Sequence, residues 1–443
     1  AVSGVDHKQA SHGLFKSPGP QSPAVTVLGL DDTDSRDRGM CTTYVAVSVS
    51  DALRRAGARV SKRRLIRLNP AVKHKTRGNA ALTIHTDASP ATALETAREV
   101  VQSLAVLEDD RTHPGIVVAE EPIDPAVQEF GTRAIREILD QEMAVDLIET
   151  TGSRSVGFKK ARGKIGALAA IGASAALTEF TYEYIAYREP DRWGTPREVD
   201  HESVFAAADT VYPTAWDTVD RGEDETVCVP NAPGPILYGI RGDDSHAVVR
   251  LAAEIDAEPV HTQALFETNQ GTDVHLRDAP IEDVREDRAY RVTGRVIEPP
   301  ETRAGGHVFV TIADGTGRLR CVAFEPTKRF RDRVRALRVG DGLTVAGEVS
   351  DGTLKLEKFA VRDRREQKAV TPTCPSCGRR MESAGASQGY RCRSCGTSAA
   401  SKAIVDLDRD LEVGWYEVPP CARRHIAKPL VRGGFGAPIH PER

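Results

Sequence analysis

With 443 residues, 40% of them hydrophobic and 28% charged, the chain is too long for a single hydrophobic core and too apolar for a disordered or fibrous protein. A net charge of −4 provides no global attraction to a polyanion, so any contact with nucleic acid must rest on local patches. No run approaches the roughly 18 apolar residues that span a bilayer, and residues 1–24 lack the apolar centre of a signal peptide; a cytosolic protein with a flexible leader is expected.

From Val25 the run VTVLGLDD reads as a buried strand, because β-branched apolar residues end abruptly in acidic turn residues. TTYVAVSVSDALRRAG then carries apolar residues at helical spacing and stops at Gly57, a common helix terminator. RRLIRLNP and ALTIHTD lead into the helix ATALETAREVVQSLAVL, followed by GIVVAE and a helix around VQEFGTRAIREILDQEM; this alternation indicates α/β or α+β layers. Between Thr150 and Arg188 the pattern becomes a basic glycine-rich turn, a small-residue apolar helix and an aromatic strand. A second α/β portion holds ETVCVPNAPGPILYGIRGDD, the helix SHAVVRLAAEI and ALFETNQGTDVHL. Residues Tyr290 to Val361 then read as five strands with a helix between the third and fourth, the order of an OB barrel whose open face commonly binds oligonucleotides. A different five-stranded barrel used only for packing is the alternative.

The most specific motif is CPSCGRRMESAGASQGYRCRSCG, in which two CxxC knuckles stand fourteen residues apart. Cys374, Cys377, Cys392 and Cys395 can close a tetrahedral zinc shell, and four sulfurs leave no open position, so the zinc is expected to be structural. Arg379, Arg380, Arg391 and Arg393 around the knuckles suit a grip on nucleic acid, or simply a solvated face. Cys41, Cys228, Cys321 and Cys421 are scattered, which favours a reducing compartment over a disulfide framework. Arginine greatly outnumbers lysine, fitting phosphate contact and a GC-rich genome equally well.

A second motif, LDDTDSRDRGMCTTY, crowds Asp31, Asp32 and Asp34, followed by the hydroxyls of Ser35, Thr42 and Thr43. Carboxylates so close repel unless they share a hard cation, which points to Mg²⁺ and a nucleotide's phosphates; an acidic turn capping a helix is the plainer reading. A third, KKARGKIGALAAIG, sets Lys159, Lys160, Arg162 and Lys164 around Gly163 and Gly166 at a helix start, a plausible anion seat, although no Walker string is present. HKTRGN, with Arg77 and Gly78, could hold further phosphates or be an ordinary turn. The tail YEVPPCARRHIAKPLVR brings Arg423, Arg424, His425, Lys428 and Arg432 together, either to track an RNA backbone or as a disordered charged terminus.

Taken in order, GLDDTDSRDRGMCTTY, RLIRLNP, KTRGN, GKIGALAAIG, LYGIRG, HVFVTI, AFEPTK, CPSCGRRMESAG and YEVPP resemble the archaeal tRNA-Ile 2-agmatinylcytidine synthetases, the TiaS family, from about Val25 to Arg432. The resemblance implies a multidomain α+β protein: a kinase-like α/β domain (25–62 and 129–198) interrupted by a ferredoxin-like α+β domain (63–128 and 199–287), then an OB-fold (288–366), a zinc ribbon (370–400) and a basic tail (401–432). It implies ATP-dependent conjugation of agmatine to carbon 2 of the wobble cytidine in tRNA-Ile with a CAU anticodon. By the same resemblance, Asp31, Asp32 and Asp34 hold Mg²⁺ and ATP, and Thr42 falls at the family's autophosphorylated threonine. Arg77, Gly78, Lys160, Arg162, Gly163 and Gly166 are expected to handle phosphate, and Tyr238 and Gly239 of LYGIRG to meet agmatine. Two other readings compete: a non-enzymatic single-strand-binding protein built on the barrel and ribbon, and a kinase or phosphatase acting on protein.

Overall fold

The computed structural model describes residues 25–35, 39–73, 75 and 78–443; the leader expected over 1–24 lies outside them. The architecture is multidomain α+β, as expected. Its N-terminal half is organised on one sheet of nine strands: β1 (Thr26–Asp31), β2 (Val60–Arg67), β3 (Ala80–Thr86), β4 (Gly115–Glu120), β5 (Arg154–Gly157), β6 (Thr181–Arg188), β7 (Ala215–Trp216), β8 (Ile236–Gly242) and β9 (Val260–Thr268). Their order across the sheet is β5-β4-β1-β3-β2-β9-β6-β8-β7, and among the described residues β2 meets β9 in the single parallel pairing of that series.

Strand alternation sorts the core. On β1, Leu28 and Leu30 face α1 (Thr42–Arg55) and α2 (Pro90–Leu104), while Val27 faces the opposite layer of α3 (Pro125–Arg136), α4 (Gln141–Thr150) and α5 (Lys164–Ala176). The helix α5 is apolar on every side and made of small residues because it lies buried between the sheet and α3. Two glycines allow that approach: a Cβ on Gly29 would stand 2.2 Å from the Ala167 carbonyl oxygen, and one on Gly172 1.8 Å from that of Val127. Helices α6 (His201–Val211) and α7 (Ser245–Glu254) cover β6 and β8 through Val204, Leu237, Ile240, Val248 and Leu251.

A short strand β10 (Leu276–Asp278) leads to the barrel of β11 (Arg288–Thr302), β12 (Val308–Ala313), β13 (Arg318–Ala323), β14 (Gly342–Ser350) and β15 (Thr353–Asp363), with α8 (Phe330–Arg335) between β13 and β14. The pairing β11-β12-β13-β15-β14-β11 closes on itself, and β13 with β15 is its parallel step. This is the expected OB barrel. Beyond it, a ladder of Gln367–Val370 with Ala403–Asp406 carries the cysteine knuckles, and Gly414–Glu417 returns to pair with β15.

The tail is not a disordered terminus, and its arginines are paired with carboxylates of the protein itself. Arg423 Nε lies 2.9 Å from Asp217 Oδ2 and the same guanidinium pairs with Glu417; Arg424 Nη1 lies 2.7 Å from Glu348 Oε2 and its Nε pairs with Glu357. Arg432 reaches Asp243 at 2.6 Å and Glu179 at 3.1 Å. Residues 418–432 thus form a strap clamped between barrel and sheet, with Ile426 and Leu430 buried. Apart from Glu417, the neutralising carboxylates come from distant segments, which is why local charge suggested a free basic arm. Among the described residues no helix is long and apolar enough to cross a membrane.

Candidate active site

The acidic turn leaves the C-terminal end of β1. Asp32 adopts a left-handed backbone (φ 58°), which reverses the chain immediately after the strand. Its Oδ2 accepts a hydrogen bond from Arg162 Nη2 at 2.8 Å, and that nitrogen also donates to the Arg111 carbonyl at 2.8 Å. Burial still dominates, pushing the Asp32 carboxyl up to about 7 despite Arg162. Burial, and then the charge of Asp32, holds the Asp31 carboxyl well above the usual carboxylate range. Gly166 permits this crowding, since a Cβ there would stand 1.9 Å from Asp31 Oδ2. The Thr112 hydroxyl donates to the Asp34 carbonyl at 2.8 Å, and Ser35 Oγ to Asp109 at 2.7 Å, fixing the turn to the segment before β4.

The three aspartates and Arg162 line a cavity of about 300 Å³ whose other walls are Leu68, Val72, Ile138, Leu139 and Ile165, with Lys75 and Gly78 at its rim. A second cavity of about 280 Å³ adjoins it, with Asp34, Gly78 and Ala80 bordering both. Thr42, Thr43, Arg67, Glu183, Gly239, Arg241 and His425 line the second, among Leu65, Leu82, Ile185 and Ile236. Glu183 is buried and accepts from Arg241 Nε at 3.3 Å and from the Gln270 side-chain amide.

The fold therefore gathers Asp31, Asp32, Asp34, Gly78, Arg162 and Gly166 at the first cavity and sends Thr42 and Gly239 to the second. Lys160 borders neither; its carbonyl accepts from Gln141 Nε2 at 2.9 Å. Gly163 also borders neither and packs against the Asp31 carbonyl. The first-turn amides of Lys164 and Ile165 donate to the Ala161 and Arg162 carbonyls at 3.1 Å, so these two are satisfied within the turn instead of offering an anion seat. Tyr238 is buried in the core under α7, its hydroxyl donating to the Ala252 carbonyl at 3.4 Å. Arg77 lies outside the described residues. Sequence reasoning missed Glu183, Arg67 and Arg241 as pocket residues and saw His425 only as part of a basic tail. A signal existed for Glu183, an acid in the middle of the aromatic strand TYEYIAYR.

At the ribbon, the Sγ atoms of Cys374 and Cys395 are 3.4 Å apart, those of Cys377 and Cys392 3.4 Å, and those of Cys377 and Cys395 3.7 Å. A tetrahedron with zinc–sulfur bonds of about 2.3 Å has edges of about 3.8 Å, so the four thiols fit zinc with no open position. Gly378 and Gly396, both left-handed (φ 72° and 76°), close the two knuckles by donating to the Cys374 and Cys392 carbonyls.

Comparison with known proteins finds family matches over most of the chain. Residues 27–160 match the TiaS TCKD domain, 161–275 the TiaS FLD domain, 290–357 an OB-fold nucleic acid binding domain and 371–411 the TiaS C-terminal zinc ribbon domain. TiaS of Haloquadratum walsbyi, a 2-agmatinylcytidine synthetase for isoleucine tRNA, is 54% identical, over 95% of this chain and 100% of its own length. The chain belongs to the TiaS family. Among solved TiaS structures, the complex of TiaS with its isoleucine tRNA and ATP superposes with a TM-score of 0.87 at 42% identity, covering 95% of this chain and 100% of that one. The complex of TiaS with the same tRNA, AMPCPP and agmatine gives 0.85 at 39% identity with the same coverage.

Proposed function

We infer that this chain is an ATP-dependent tRNA-modifying ligase that joins agmatine to carbon 2 of the wobble cytidine of tRNA-Ile with a CAU anticodon. The observation that carries the mechanism is the pair of adjoining cavities, one rich in carboxylates and the other holding a buried glutamate, with Asp34 on the wall between them. The oxygen on carbon 2 of cytosine is a poor leaving group, so an amine can displace it only after ATP has converted it to a phosphoryl ester.

The first cavity suits ATP. Its apolar side fits a nucleobase, and Arg162 stands where it can neutralise charge developing on the phosphates. Asp31, Asp32 and Asp34 are the residues that would hold Mg²⁺, which would supply charge screening for the phosphates. The second cavity suits agmatine: Glu183 meets the guanidinium, the apolar side chains line the butyl chain, and the amine points back toward Asp34 and the activated cytidine. Thr42 shares this cavity.

The wobble base must leave the anticodon stack to reach the junction, at an unstacking cost of a few kcal/mol that contacts elsewhere offset. The barrel supports such contacts. On the outer face of β12, Phe309 is clasped by the guanidinium carbons of Arg303 and Arg320 at 4.6 and 4.3 Å, and His307 packs edge-on against the half-exposed Phe324. The closed zinc ribbon, with Arg380 and Arg391 exposed, acts as a second handle and takes no part in the chemistry. ATP and tRNA are cytoplasmic substrates, so we take the cytoplasm as its compartment.

Mass spectrometry of a tRNA-Ile transcript incubated with the protein, ATP and agmatine tests this reading. The wobble nucleotide should gain the mass of agmatine less one water. Tight RNA binding with no ATP turnover and no mass gain would instead favour a non-enzymatic single-strand-binding protein.

A further inference from the structure

The second cavity draws one lining residue from beyond the N-terminal half of the chain: His425 reaches it from the strap that follows the zinc ribbon. The strap is fixed on both sides of this residue. Arg423 and the neighbouring Arg424 are tied to Asp217, Glu417, Glu348 and Glu357, while Ile426 packs on Leu276, Ala289 and Ala346. The imidazole is therefore delivered to one place in a cavity whose other lining residues all lie far from it in sequence, between Asp34 and Arg241. Burial, reinforced by Arg241, Arg67 and His275, pushes the imidazolium form well below the ordinary histidine range, so the ring is neutral and one nitrogen is free to accept. Glu183 already receives hydrogen bonds from Arg241 and Gln270, so a guanidinium, with its five N–H donors, needs a further acceptor beside it.

We propose that His425 is a recognition residue of the amine pocket, its imidazole accepting an N–H hydrogen bond from the guanidinium of agmatine alongside Glu183. This rests on the reading of the second cavity as the agmatine site. It makes the pocket complete only while the strap is docked, tying substrate selection to the segment that closes barrel onto sheet.

Steady-state kinetics of the full chain, with ATP and tRNA-Ile saturating, test it in three variants. His425→Leu should raise KM for agmatine about tenfold with kcat within about twofold, the effect of losing one hydrogen bond to a charged group. His425→Gln, which keeps an acceptor, should recover most of that loss. With pentylamine, which has no guanidinium, wild type and His425→Leu should react alike. An unchanged KM in His425→Leu, or equal losses in the Leu and Gln variants, would overturn the proposal. Glu183→Gln separates the two levels: if it raises KM while His425→Leu does not, only the histidine assignment falls. If neither variant moves KM, the reading of the second cavity falls with it.

Discussion

The acidic end of the central sheet and the zinc ribbon are built on opposite plans. The ribbon is local: four thiols within 22 consecutive residues, two glycine-closed knuckles and a small buried centre of Cys374, Met381 and Cys392. The paired cavities are non-local, assembled from β1, the turn before α5, β2, β6, β8 and the C-terminal strap. The ribbon satisfies its ligands completely. The cavities hold crowded carboxylates, a left-handed aspartate and a glycine pressed on a carboxyl oxygen, features costly to fold and of the kind that cluster at functional sites.

If that contrast is right, damage to the two regions should separate by activity. The largest effect is expected at Asp32. Asp32→Asn should lower ATP turnover by about a thousandfold or more while tRNA affinity, measured by filter binding, stays within severalfold; unchanged turnover would remove Asp32 from the phosphate site. Next comes Gly166→Val, whose side chain would collide with Asp31. A loss of about 1–3 kcal/mol in denaturant unfolding and of most ATP turnover is expected. The double change Cys374→Ser and Cys377→Ser should release zinc, detected with a chromogenic chelator, and weaken tRNA binding by about tenfold. ATP turnover at saturating tRNA should survive it, and its loss would mean that the ribbon does more than hold RNA.

The smallest effect is a pH dependence carried by buried histidines. Burial, with Lys62 and Arg64, lowers His85 from 6.5 to about 3, and burial lowers His275 to about 4. Below pH 6.5 the unfolded chain takes up protons that the folded chain refuses, so stability is full above 6.5 and is lost as the pH falls toward 3. Melting temperature should decline over that range, and His85→Gln should flatten the decline relative to wild type. Equal slopes would show that His85 does not carry it.

Legibility in the sequence followed the same division. VTVLGLDD gave away both β1 and the carboxylates at its end because an apolar run stopping in aspartates is a local signal. The barrel strands and the knuckles were visible for the same reason. The second cavity was not, because Glu183 and Arg241 meet only through the pairing of β6 with β8, and His425 arrives from the far end of the chain. The pair Tyr238 and Gly239 shows how period-two geometry could have sharpened the reading. Neighbours on a strand face opposite sides, so only one of them could line a pocket, and the glycine does. The strap was misread because its cations were counted without the carboxylates that Asp217, Glu348 and Glu357 bring to them from elsewhere.

The central claim is that phosphoryl and amine chemistry meet at the wall shared by the two cavities. A crystal structure of this protein with tRNA-Ile, a non-hydrolysable ATP analogue and agmatine tests it most directly. The account predicts phosphates against Arg162 and the three aspartates, the guanidinium between Glu183 and His425, and the amine directed toward Asp34. Agmatine bound outside the second cavity, or a nucleotide whose phosphates avoid the acidic turn, would contradict it.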